Sequence, residues 1–159
     1  MVKEETTGGR PSNYSLWHRT LPKKCYVMDI DWVECREGFI PKALIETSEI
    51  NYEYVNEGED PYKETLWYVL RRTWLQRSAL HYIAAKLGIK AYIVIHEPVP
   101  KPEKFLVLEI TQELNSLDWK NSKPKDVERL SPVMLSESDY RKFLIGLERH
   151  NFFNSFTPM

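Results

Sequence analysis

The sequence predicts a single α/β domain: a central mixed β-sheet flanked by helices in the order α-β-β-α-β-β-α. Three observations carry this expectation. Short runs rich in Val, Ile, Tyr and Trp recur along the chain. One long helical pattern sits between them. The chain has 159 residues without a repeat or a dividing linker, which suits one core of ordinary size.

Residues 1–11 are polar, contain Gly8-Gly9 and are expected to form a loose tail, leaving 12–159 as the domain. Ser12 to Leu21 reads as a short helix, with Ser12 or Asn13 as its cap and Pro22 as its stop. Lys24 to Arg36 reads as a strand, Glu37-Gly38 as a tight turn, and Phe39 to Glu49 as the returning strand. Both strands are apolar on both faces over much of their length, as central strands are. A polar loop leads to one helix over Tyr62–Leu87, with Gly88 placed to cap its C-terminus. Lys90 to His96 and Phe105 to Thr111 supply two further strands around the Pro-rich EPVPKPEK. Residues 115–133 read as an exposed connection, and Ser136 to His150 as a closing helix through Tyr140, Phe143, Leu144 and Leu147.

The formal net charge is −1, which excludes nucleic-acid binding by bulk charge. The distribution is less neutral. Residues 29–60 hold ten acids and two bases, whereas 62–92 hold six bases and one acid. Two solvated faces account for this as well as an acidic cation site beside a phosphate-binding surface does. No apolar run approaches the ~20 residues that span a bilayer. No signal-peptide pattern opens the sequence, so a cytoplasmic protein without membrane partners is expected. Two cysteines, Cys25 and Cys35, with apolar neighbours, read as buried thiols. The tryptophans, Trp67 and Trp74 above all, read as core.

Side chains alternate along a strand, which puts Asp29 and Asp31 on one face with Val27 and Val33. Glu46 lies in the apolar stretch ALIE of the next strand. Carboxylates among apolar neighbours are costly unless paired or bound to a cation. A single such acid more often caps a loop or pairs with Arg. Asp31 and Glu46 together, across a hairpin, point to a site for a hard divalent ion, Mg²⁺ or Mn²⁺.

A strand carrying Asp, a turn, and a strand ending apolar-apolar-Glu-x-Lys form the pattern of the PD-(D/E)XK nuclease superfamily. Residues 12–112 resemble it through YVMDIDWVE and PKALIETSE, followed by a long helix and a strand. The resemblance implies a restriction-endonuclease-like fold, metal ligation by Asp31 and Glu46 assisted by Asp29, and hydrolysis of DNA, rather than RNA, phosphodiesters. It also implies a homodimer, since small nucleases of this kind often pair. The catalytic lysine of the motif falls at Ser48, whose hydroxyl neither deprotonates water nor neutralises a phosphate well. Lys42 shares the face of Glu46 but lies four residues before it, roughly 13 Å away. Lys63, Arg71 and Arg72 are the candidates to replace it; without one, the chain is an inactive relative that binds nucleic acid or a protein.

Gln76 falls on an apolar stripe with Val69, Thr73, Leu80, Ile83 and Leu87, where an amide needs partners. Strand-end backbone would serve, and so would the carboxylate cluster. A glutamine there also resembles the motif of the RecB-like branch. Arg72 at the stripe's edge and His18-Arg19 on the first helix are candidate nucleic-acid contacts, though solvated side chains are the blander account. The histidines show no zinc spacing, and there is no phosphate loop or Ser-His-Asp pattern.

Overall fold

In the computed structural model, residues 13–22, 28 and 30–148 are described. The expected N-terminal tail, Cys25 and Asp29 lie outside them. Helix α1 (Asn13–His18) precedes strand β1 (Trp32–Arg36), which returns as β2 (Ile40–Glu49). Helices α2 (Pro61–Arg72) and α3 (Trp74–Leu87) then carry the chain to β3 (Lys90–His96). Strand β4 (Lys104–Glu109), helix α4 (Gln112–Ser116), strand β5 (Val133–Ser136) and helix α5 (Glu137–Ile145) follow.

The five strands form one mixed sheet in the order β1-β2-β3-β4-β5. Only β2 and β3 run parallel; the other pairs are antiparallel. A parallel pair needs a long crossover, and α2 with α3 provides it. The fold is therefore the expected single α/β domain with a mixed sheet.

Three features depart from the expected element order. The long helix of 62–87 is two helices broken at Thr73, whose hydroxyl donates to the Val69 carbonyl at 2.7 Å. Arg77 reaches back to hold the carbonyl of Leu70 at 2.6 Å, so the end of α2 is satisfied without α3 continuing it. In the segment expected to be an exposed connection, α4 and two 3-10 turns pack on the helices, and β5 adds an edge strand. Trp119 and Val127 from that segment are buried. The break also frees Trp74 and Leu87 from the core: both are more than half exposed, against expectation. Cys35 is half-buried.

Local chemistry fixes the ends. The Asp60 carboxylate accepts from the Tyr62 and Lys63 amides at 2.9 and 3.3 Å, with Pro61 in the first turn of α2. Gly88 adopts φ 68° to close α3, as its position predicts. Between β1 and β2, Gly38 (φ 78°) and Phe39 (φ 56°) make the turn.

Two apolar layers sandwich the sheet. On one face Leu44, Ile93, Ile95, Leu106 and Leu108 meet Leu66, Leu70 and Leu80 of the crossover helices. On the other, Ala43, Ile45, Tyr92, Val94 and Val107 meet Phe143 of α5. Each fully buried Leu, Ile or Phe stabilises the fold by about 1.5–3 kcal/mol. Central strands covered on both sides explain the apolar runs 43–45 of β2 and 91–95 of β3.

Candidate functional site

The parallel strands β2 and β3 end together, with Glu49 level with His96. Crevices at the carboxyl ends of parallel strands are where α/β sheets bind ligands. Both candidate carboxylates are found at this end. Glu46 is 6 % exposed and lies between Leu44 and Ser48 on the face that meets the crossover helices. It sits beside Ile93 of β3 in the parallel register.

Asp31 immediately precedes β1. Trp32 pairs with Ile45, so Asp31 comes level with Glu46. Its Oδ2 accepts from the Thr47 amide at 2.9 Å and from the Thr47 hydroxyl at 3.2 Å. The carboxylate thereby supplies an acceptor to β2 where the strand ladder stops. The structure thus brings Asp31 to the 46–47 segment, as the hairpin pattern predicts. Asp29 lies outside the described residues. Among those described, no three His, Cys, Asp or Glu side chains gather as a metal-holding group. What remains is a pair of hard oxygen donors, one of them enclosed in an apolar face.

Ser48 occupies the same face as Glu46, half-buried opposite Ile95. Gln76 is half-buried on α3. The fully buried polar side chain of this stretch is its neighbour Arg77, 2 % exposed, which sequence reading passed over. Its guanidinium donates to the Leu70 carbonyl and to Asn115 Oδ1 (3.2 Å), and its Nε finds no acceptor among the described residues. Burial lowers its pKa to about 10. An apolar i−7, i+3 environment (Leu70, Leu80) was the available clue.

None of the three bases considered as a replacement for the motif lysine is directed at Glu46. Lys63 Nζ pairs with Glu128 at 2.8 Å. The guanidinium of Arg71 lies 4.6 Å over the Trp67 ring, and that of Arg72 lies 5.8 Å over Tyr68. Arg72 is exposed on the helix surface. His18 closes α1, with its side chain outside the described structure, and Arg19 is exposed beyond it.

No protein-family model, curated protein or solved structure matches this chain. No described helix is long and apolar enough to cross a membrane.

On the opposite face of the same sheet end is a cleft of about 250 Å³ that sequence reading did not find. Trp32, Glu34, Thr47, His96, Phe105 and Tyr140 provide its chemistry. They come from four strands and α5, so no local motif announces it. Phe105 and Tyr140 stack at 4.2 Å and 14°. His96 Nδ1 lies 2.9 Å from the Glu97 carbonyl, which only accepts, so Nδ1 is the donor there and, in the neutral ring, Nε2 is the acceptor.

Proposed function

We propose that this chain is a nuclease-like domain of the PD-(D/E)XK kind that hydrolyses DNA phosphodiester bonds with Mg²⁺ or Mn²⁺. The observation that carries this reading is the convergence of Asp31 with the Glu46–Thr47 segment at the carboxyl end of the parallel strands. Two carboxylates at one sheet end suit a hard cation, and Glu46 is buried there among apolar neighbours.

Asp31 and Glu46 would hold the ion, with Asp29 assisting. The bound ion would acidify a water and neutralise phosphate charge. Gln76 would orient the site from α3. The Ser48 hydroxyl can hydrogen-bond a phosphate oxygen but brings no positive charge to it. Slow turnover follows from that substitution.

A second reading is favoured by the placement of Lys63, Arg71 and Arg72. Each is engaged away from Glu46, which supports a nuclease fold that binds nucleic acid or a protein partner without cleaving. Calorimetric titration with Mn²⁺, followed by cleavage assays on single- and double-stranded DNA, separates these readings. Binding that is lost in Glu46→Ala supports the metal site; no binding, or binding unchanged in Glu46→Ala, removes it. Wild-type cleavage abolished by Glu46→Ala establishes the nuclease. Cleavage gained only in Ser48→Lys, and removed again by Glu46→Ala, establishes the inactive relative.

A further inference from the structure

The cleft on the α5 side of the sheet has an acceptor chemistry that the phosphodiester reading leaves unused. Glu34 lines it with a carboxylate that accepts no hydrogen bond among the described residues. Among the described residues the nearest cation, Arg36, stands 4.0 Å away. That guanidinium is committed to the carbonyls of Cys35 and Leu144. His96, in the same lining, offers Nε2 as a second acceptor when its ring is neutral. The Thr47 hydroxyl spends its proton on Asp31. The polar lining therefore asks for a ligand rich in N–H groups.

The walls ask for a flat one. The Phe105–Tyr140 pair forms one side, and Trp32, 60 % exposed, stands at the mouth. A volume of about 250 Å³ falls below the ~300–1,000 Å³ of pockets for drug-sized ligands, and suits a single ring system. Flat groups with two adjacent N–H donors include guanidinium and guanine. Arg36 beside Glu34 opposes a second cation, whereas a neutral base meets no such repulsion.

We propose that this cleft binds an unpaired guanine base, with its N1–H and N2–H₂ edge on the Glu34 carboxylate and its ring against the aromatic walls. Flipped or single-stranded bases are read in this way, by edge hydrogen bonds and stacking. The nuclease-like reading bears only on where the guanine comes from, a nucleic-acid strand rather than a free nucleotide. The two sites share one strand: Thr47 lines the cleft and also grips Asp31, and its neighbour Glu46 faces the other way.

Tryptophan fluorescence of the full chain in EDTA, titrated with GMP, UMP, arginine amide, and dG-containing or all-dT single strands, tests this. GMP should quench and bind at least about tenfold more tightly than UMP, whose amine-free edge sets carbonyl oxygens against Glu34. Glu34→Gln should remove that preference while melting as the wild type does, and Trp32→Phe should remove most of the quench. Tighter binding of the dG strand than of GMP identifies nucleic acid as the source; the reverse identifies a free nucleotide. Equal binding of GMP and UMP, a preference that survives Glu34→Gln, or tighter binding of arginine amide overturns the proposal. Because divalent ions are absent, Glu46→Ala should leave guanine binding intact. Loss of the metal site and loss of the base site are thus read separately.

Discussion

Asp31 holds Thr47 at two points, through the backbone amide at 2.9 Å and the hydroxyl at 3.2 Å, with a single carboxylate oxygen. The same residue is thus a clamp on the end of the β1–β2 ladder and a candidate metal ligand. The two roles separate by substitution. Asp31→Asn retains an oxygen that accepts both bonds, so the denaturation midpoint should stay close to wild type while Mn²⁺ affinity falls. Asp31→Ala loses both bonds and should cost about 1–3 kcal/mol, and Thr47→Val about 1 kcal/mol. Urea unfolding checks the stabilities. An Asn variant as unstable as the Ala variant would contradict the clamp.

Arg77 ties the end of α2 to α4, through Leu70 and Asn115. Arg77→Met fills similar space but leaves the Leu70 carbonyl without its donor. A loss of about 1.5–3 kcal/mol is expected, the range for hydrogen bonds to charged groups. Amide exchange should quicken around Thr73 and Trp74 before it does in the strands. Uniform acceleration across the chain would mean that Arg77 supports the whole fold rather than the helix junction.

Phe39 takes φ 56° at the β1–β2 turn with its ring 90 % exposed. Left-handed backbone costs a side-chain-bearing residue roughly 1–2 kcal/mol, and little packing is present to offset it. Phe39→Gly relieves that strain but enlarges the entropy of the unfolded chain. A net gain of up to about 1 kcal/mol should appear in thermal unfolding. Destabilisation instead would show that the ring packs in solution.

Three phenols, Tyr92 buried and Tyr62 and Tyr140 half-buried, predict a loss of stability in alkali. Burial, then the Glu34 charge, pushes Tyr140 up to about 12; burial also raises Tyr62 and Tyr92, reinforced by Glu97 and Glu109 respectively. Their contribution is fully present below the ordinary phenol value near 10. Above it the unfolded chain gives up protons that the folded chain keeps, so stability falls as pH rises from about 10 towards 12. Arg77 opposes this, since its lowered pKa lets the folded state lose a proton first. Three tyrosines against one arginine set the net direction. Urea midpoints measured across that window, with tyrosinate absorbance followed in parallel, provide the check.

The parts of the fold visible in the sequence are those where local pattern and tertiary demand agree. Strands β2 and β3 were legible because burial on both faces leaves unbroken apolar runs, and Gly88 because only a left-handed cap ends α3 there. The junction at Thr73 was not, since the apolar period runs through it without Pro or Gly. Contacts distant in sequence, such as Arg77 with Asn115, hold it open. Strand β5 is four residues long and owes its pairing to β4 rather than to its own composition. For the candidate site, the hairpin pattern brings Asp31 level with Glu46. Glu34, His96 and Tyr140 assemble only when four strands and α5 come together, which no spacing along the chain encodes.

The left-to-right order of the strands in space is also their order of synthesis. Each strand after the first emerges from the ribosome when its only upstream neighbour already exists, and none must be threaded between two placed strands. The growing sheet therefore always has an open margin ready for the next segment. A nascent chain halted after β3 already contains β1, β2 and the crossover helices, with Asp31 and Glu46 among them. The guanine cleft must wait for β4 and α5, so base recognition would be the later of the two capacities to mature.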